Sequence, residues 1–464
     1  MPSPIRLAQR MGFAVALVIA LVTPGPSGGA RADDAVAMVV DLVTRDDAEF
    51  RAIGLERIRG GVKGEAATRA FAALVEKQPA ARQVELVRAL ADRGDAAALP
   101  AIVALLGQSQ DVAVRTAAIT AVGALGGGGQ VAVLVKSLAA GDPERTAASR
   151  ALIAIRGDDA VAKIVAATKA GTPAERVAMI DVLSERRVKS ALPDLAALVT
   201  DAESPVRKAA TRALGRLGGA AEVPALMAAV LAAAPGGDRQ EAERVVITVC
   251  TKNAGNEEAA AKLLEAFKAK PEADQETLLP TLGGIGGPGA LAIVDELIAS
   301  PDAAKRAFGL KAISRWPDAT VAPKLLELVG KATDPAERGL LLGTLIRIAP
   351  LPDNKLNDGQ KLELVKKTMA LCTSDAERAR LLERANAIRT FETFQFVVPF
   401  LDQQALAAPA GKSVVELAHH QKLRDAHKPA FLAALDKVLA TTQDPELVER
   451  ATRYKEGKTW ERKR

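Results

Sequence analysis

The stretch LPDLAALVTDAESPVRKAATRALGRLGG, Leu192 to Gly219, decides the fold. Pro193 suits a first helical turn, where its missing N–H has no partner to lose. Leu192, Leu195, Leu198 and Val199 then share one face. Asp201–Pro205 breaks the pattern, and the spacing predicts Ser204 as N-cap with Pro205 at the first helical position. In the second segment Val206, Ala209, Ala210, Ala213, Leu214 and Leu217 keep the i, i+3, i+4, i+7 spacing of one helical face. Arg207, Lys208, Arg212 and Arg216 fall between them, and Gly218–Gly219 closes the helix. Neither short helix can bury its stripe alone, so the pair requires a neighbour on each side.

Copies of the unit run along the chain. LPAIVALL at Leu99–Leu106, VPALMAAV at Val223–Val230 and APKLLELV at Ala322–Val329 repeat its first helix. The second helix of each copy opens on an acid or polar residue, often a proline, and then an arginine: Arg51, Arg115, Arg145, Arg176, Arg207, Arg306, Arg338 and Arg378, with Arg82 in the same slot. From Arg51 to Arg207 the spacing is 30 to 33 residues. An apolar residue usually follows seven positions later, as at Ile58, Val122, Leu152, Leu214 and Leu345. A fixed period of this length signals a stack of helix pairs.

Between Arg207 and Arg306 two units are expected near 221–252 and 256–283, the first widened by Ala234-Pro235-Gly236-Gly237. GGIGGPG at Gly283–Gly289 lacks the Gly-Lys-Ser/Thr ending of a phosphate loop and reads as a helix-to-helix turn. Pro350–Asp358 reads as a looped insertion before a unit at 359–389. Beyond residue 390 the repeat stops. Phe391, Phe394, Phe396 and Phe400 place four of ten phenylalanines within ten residues, the composition of a helical cap over the last apolar face. A loop over Gln403–Ser413 and helices near 414–427, 429–441 and 444–455 are expected there.

The composition supports helices of small side chains: 49% hydrophobic, 25% charged and only 3% aromatic. The N-terminus has the form of an export signal, with Arg6 and Arg10 before the apolar run Gly12–Val22, a break at Pro24–Gly29, and Ala30-Arg31-Ala32 as a cleavage site. Residues 1–32 are thus expected to be a signal peptide, 33–389 the solenoid and 390–464 the capping region, in an exported, periplasmic or extracellular protein. The formal charge is +6, but the leader carries three arginines and no acid, leaving +3 for residues 33–464. Arg450–Arg464 holds seven cations against Glu456 and Glu461, so residues 33–449 sum to −2. A long basic nucleic-acid groove is not expected. Cys250 and Cys372 read as helical and about four repeats, roughly 35–40 Å, apart, too far for a disulfide.

The helix pair with proline in its first helix, then an acid and an arginine opening its second, resembles HEAT repeats, most closely the short HEAT-like class described in bilin lyases. The resemblance covers roughly residues 36–389. It implies an all-α, right-handed α-solenoid of stacked antiparallel helix pairs with a helical C-terminal cap. It also implies a structural ladder at Asp111/Arg115, Glu203/Arg207, Asp302/Arg306 and Asp334/Arg338, from which Thr172 and Gln78 depart. Second helices of such solenoids line the partner-binding side, which would put Lys208, Arg212 and Arg216 near that surface.

Chemistry-bearing motifs do not emerge. His419, His420 and His427 are the only histidines; His420 and His427 could share a helix face, with Asp425 near, but no i, i+4 ligand or cysteine joins them. There is no Cys-x-x-Cys-His, Gly-x-Ser-x-Gly or His-Glu-x-x-His. The sequence therefore points to a non-catalytic, monomeric scaffold for a protein or peptide, with no cofactor, metal or nucleic acid and no membrane segment after signal cleavage. A chromophore-handling enzyme of the bilin-lyase type and a nucleic-acid-binding solenoid are the alternatives. The tail RYKEGKTWERKR would serve an anionic partner or simply be solvated.

Overall fold

A computed structural model describes residues 28–157, 159–253, 255–352 and 355–460. The charged and apolar parts of the leader, residues 1–27, and the last four tail residues, 461–464, lie outside the described residues. The cleavage motif Ala30-Arg31-Ala32 falls at the start of the helix Gly28–Thr44. The described residues contain helices and no strand, and no helix among them is long and apolar enough to cross a membrane. Contacts divide the chain into two compact units, Met1–Leu195 and Ala196–Arg464.

The quoted stretch forms Leu192–Ala197, a 3₁₀ turn at Leu198–Thr200, and Ser204–Leu217. Its second helix starts one residue earlier than the cap chemistry suggested. Glu203 is the extended N-cap residue, Ser204 is already helical and Pro205 follows it. The Ser204 hydroxyl is turned instead to Asp238 Oδ2, 3.3 Å away. At several other second helices the caps follow the expected chemistry, with an acid or hydroxyl covering the orphan N–H groups of the first turn. Asp111 accepts from Ala113 N and Val114 N at 2.8 and 3.0 Å, Asp302 from Ala304 N and Lys305 N, and Asp334 from Glu337 N at 2.7 Å. Thr172 and Glu175 form a reciprocal capping box.

Within each unit the second helices lie against one another, and small residues set the distance. In the first unit Gly123 of Val112–Leu125 meets Ala151 of Glu144–Ala154 so closely that an added Cβ would overlap it. In the second, Gly283 of Glu272–Ile285 is pressed on the Ala312 carbonyl of Ala303–Ile313. The first helices supply the other layer: Leu226, Met227 and Val230 of Val223–Ala232 are fully buried or nearly so, as are Leu325 and Val329 of Ala322–Lys331. Of the glycine-rich stretch 283–289, expected as a turn, only Gly286 and Gly287 form it, with φ of +72° and +85°; Gly283–Ile285 end one helix and Pro288 opens the next.

The C-terminal region departs from the expected boundaries. The segment 403–413 is largely helical, because Ala407–His419 begins four residues into it. Its small residues Ala410, Gly411 and Ser413 are buried, with Gly411 facing Val438 of Lys428–Thr441. Pro409 sits in the first turn, where a missing N–H costs little. The helix foreseen over 414–427 is broken at His420, whose ψ of 93° ends Ala407–His419 and starts Gln421–Ala426. His420 and His427 therefore do not share one helix face. The phenylalanines build the local core: Phe394 lies 4.0 Å from Phe431 between ring centroids, and Phe391 stacks on the His427 ring at 3.6 Å.

Candidate functional site: the second-helix face

The arginine that opens each second helix is placed by helix ends. Four unpaired carbonyls terminate every first helix, and in several repeats this guanidinium reaches back to them or to the turn that follows, whereas Arg338 donates forward to Leu371 O. Arg207 Nη1 donates to the carbonyls of Asp201 and Ala202 at 2.6 and 2.9 Å. Arg176 Nε donates to Thr168 O at 2.8 Å, Arg306 Nη1 to Ile298 O at 3.1 Å, and Arg115 Nη1 to Leu106 O at 3.1 Å. At Arg115, Arg306 and Arg338 the acid of the same repeat is not the partner, since Asp111, Asp302 and Asp334 cap their own helices; Arg378 does pair with its own Asp375, at 2.9 Å. Glu203 makes no side-chain cap bond. The inter-repeat rung goes instead to the glutamate of the following second helix: Arg115 to Glu144, Arg306 to Glu337 at 2.5 Å, and Arg338 to Glu377 at 3.3 Å.

A second set of cations, not singled out from sequence, ties the other end of the second helices. Arg93 donates to Ile58 O (2.8 Å), Arg186 to Leu152 O and Ile155 O (3.0 and 2.7 Å), and Arg347 to Ser314 O and Trp316 O (3.0 and 2.7 Å). Arg384 donates to Ile346 O and Arg347 O at 3.1 and 3.0 Å. Each reaches the end of the preceding unit's second helix, 31 to 38 residues back. Their separation from the first arginine in each unit is variable, which is why a fixed-register reading passes over them.

Of the three residues placed near the partner-binding side, two are held in bridges between neighbouring second helices. Lys208 Nζ lies 2.7 Å from Asp238 and Arg212 Nη1 3.1 Å from Glu241. The space they enclose is about 20 Å³, enough for a single water. Arg216 is exposed and also has a partner.

One unit along, the pattern of pairing changes. Glu243 of Gly237–Thr251 is only 7% exposed. It makes no hydrogen bond or ion pair among the described residues, and burial raises its pKa against the opposing fields of Arg315, Arg239 and Lys311. These groups line an open cavity of about 330 Å³ with Glu276 and Phe308. Pro280 of helix Glu272–Ile285 also lines it, and its missing N–H leaves the Glu276 carbonyl without the usual helical donor. A second cavity of about 470 Å³ adjoins it, shares Glu276 and Phe308, and is edged by Glu296. Arg347 lies near the same region, its pKa lowered by burial and by the charges of Arg384 and Arg315.

The remaining candidates are structural. Burial pushes the thiols up to about 12 for Cys250 and about 11 for Cys372, away from the reactive thiolate. Cys372 is the extended residue after helix Asp358–Leu371 rather than part of it. His419 Nδ1 sits 2.8 Å from the Tyr454 hydroxyl, while His427 lies on Phe391. Burial, then Arg389 and His419, lower the pKa of His420. Among the described residues no group of three or more His, Cys, Asp or Glu converges as a metal site would require.

Residues 66–155 and 161–247 match the family model for HEAT repeats, and over those residues the stacked helix pairs are HEAT repeats of an α-solenoid. Among solved structures it is similar to the karyopherin Kap121p bound to the extreme C-terminus of the protein phosphatase Cdc14p, at 10% identity and a TM-score of 0.46, over 88% of this chain and 54% of that one. It is similar to Kap121p bound to Nup53p at 11% identity and the same TM-score, over 91% and 48%. A homology model of the full-length AP-3 complex matches at 11% identity and a TM-score of 0.45, over 95% and 92%. The chain spans about half the length of the karyopherin chains it matches. Among curated proteins no sequence matches it.

Proposed function

We propose that the protein is an exported, non-catalytic scaffold that holds a protein or peptide partner against its second-helix face. One observation carries this reading. Cations along the stacked second helices are paired between neighbouring repeats at Lys208, Arg212, Arg306 and Arg338, whereas Arg239, Lys311 and Arg315 border an open cavity and make no ion pair among the described residues. Here three cations gather at one open cavity without ion pairs, an arrangement that suits a partner's polar groups. Rigid helix pairs supply the many small contacts by which such surfaces bind. The leader read in residues 1–32 supports export.

The test is affinity capture from the exported fraction of the native host, with the N-terminus of the captured protein sequenced in parallel. A stoichiometric partner that survives physiological salt, and a mature chain starting near Asp33, are the expected results. A mature N-terminus at Met1 would remove export from the proposal, and capture of nothing above background would remove the scaffold.

A further inference from the structure

We infer that the cavity between helices Gly237–Thr251, Glu272–Ile285 and Ala303–Ile313 binds an acidic peptide segment, seating a carboxylate against Arg239, Lys311 and Arg315 and an adjacent apolar side chain on Phe308. This rests on the partner-binding reading above and names the partner's chemistry.

The first ground is the missing counter-charge. Arg239 donates Nη2 to Ala233 O at 3.0 Å, but its Nε is buried with no partner. Arg239 also borders the cavity, and it makes no ion pair there. The side chains of Lys311 and Arg315 make no hydrogen bond or ion pair among the described residues. Arg315 is also within the field of Arg347, which in turn faces Arg384, so the cavity lies beside a cluster of like charges that an anion would relieve.

The second ground is the mixed lining. Three cations outnumber Glu243 and Glu276, and Glu243 is at 7% exposure the more deeply sunk group. A carboxylate on the cationic rim gains from three guanidinium or ammonium groups and loses part of that to Glu243. Phe308, half-buried, is shared with the adjoining cavity of about 470 Å³, which gives the next side chain an apolar seat. A phosphodiester backbone would carry its uniform charge onward past Glu276 and Glu296, where it is repelled. The discontinuous charge of a peptide suits the site better.

The sign of the Glu243 effect separates this binding mode from its opposite. Removing a buried negative charge beside a bound carboxylate tightens binding. Removing it from beneath a bound lysine or arginine side chain weakens binding.

Fluorescence anisotropy with the full chain and a labelled Ala/Leu/Glu peptide tests the inference. The acidic peptide is expected to bind, and its counterpart with Gln in place of Glu to fail. Lys311→Gln with Arg315→Gln should weaken binding by about tenfold or more, and Glu243→Gln should strengthen it several-fold. Because neither Lys311 nor Arg315 makes a hydrogen bond to lose, the double variant should keep its far-UV helicity, which is checked first. The inference is overturned if a Lys-bearing peptide binds instead and Glu243→Gln weakens it. It is equally overturned if single-stranded RNA binds more tightly than the peptide through the same residues, or if the folded wild-type chain shows no peptide binding. A native partner whose capture is unaffected by the double variant would leave the scaffold standing and remove this site.

Discussion

Replacing Arg347 by methionine should loosen one joint of the stack and leave the rest. The guanidinium donates to Ser314 O at 3.0 Å and Trp316 O at 2.7 Å, covering the end of the preceding second helix. Hydrogen bonds from a charged donor contribute about 1.5–3 kcal/mol each, so two amount to roughly 3–6 kcal/mol. Part of that is returned, because the charge is partly desolvated and repelled by Arg384 and Arg315, as its lowered pKa records. If burial and repulsion offset about half, the net loss is roughly 2–3 kcal/mol. Methionine keeps the apolar stem in place, so the loss reports the hydrogen bonds rather than a cavity. Trp316 is fully buried beside the joint, its indole N–H donating to Thr320 Oγ1 at 3.0 Å, and its emission reads the opening directly. With Trp460→Phe as background, Trp316 is the only indole left. Urea titration should then show the Trp316 transition at a lower midpoint than the loss of total helicity. A shift below about 0.5 kcal/mol would refute the assignment of Arg347 as a joint.

Other outcomes follow from the same geometry. Gly283→Ala drives a Cβ into the Ala312 backbone carbonyl and should cost about 1–3 kcal/mol in thermal or urea unfolding. Gly339→Ala, in an exposed helical position with open space, should instead stabilise by about 0.5–1 kcal/mol. Glu243 has its folded pKa raised, so its contribution is intact below the unfolded carboxylate pKa and is lost as pH rises through the folded value. Glu243→Gln should therefore gain stability over wild type as pH climbs above the ordinary carboxylate range, with the advantage shrinking in acid. A difference that grows toward acid would contradict the cause assigned to the shift. Cys250 and Cys372 should react slowly with a thiol reagent in the folded chain and at the free rate in urea, because burial holds both as thiols.

Much of the fold was legible from single helices, because amphipathic spacing, caps and breaks are decided within a dozen residues. Leu192–Ala197 and Ser204–Leu217 show this, as do the N-caps Asp111, Asp302 and Asp334. The same local rules misplace boundaries where a neighbour overrides them. Small residues over 407–413 look loop-like, yet they form a helix whose Ala410, Gly411 and Ser413 are buried, Gly411 facing Val438.

What the chain by itself determines is the repeat: its period, its apolar faces, and an arginine at the head of each second helix. Only the tertiary structure decides which groups meet. Arg115 joins Glu144 and not Asp111, Lys208 joins Asp238, and Arg347 closes the helix end at Trp316, because the rise and rotation between stacked helices select the partners. Such displacements follow close packing, as at Gly123 on Ala151 beside Arg115–Glu144 and at Gly215 on Val245 beside Lys208–Asp238, and leave no mark in any one helix's periodicity. Glu243 shows the limit best. Its burial beside three unpaired cations arises from three helices at once, and in sequence it is one acid among fifty-six Asp and Glu.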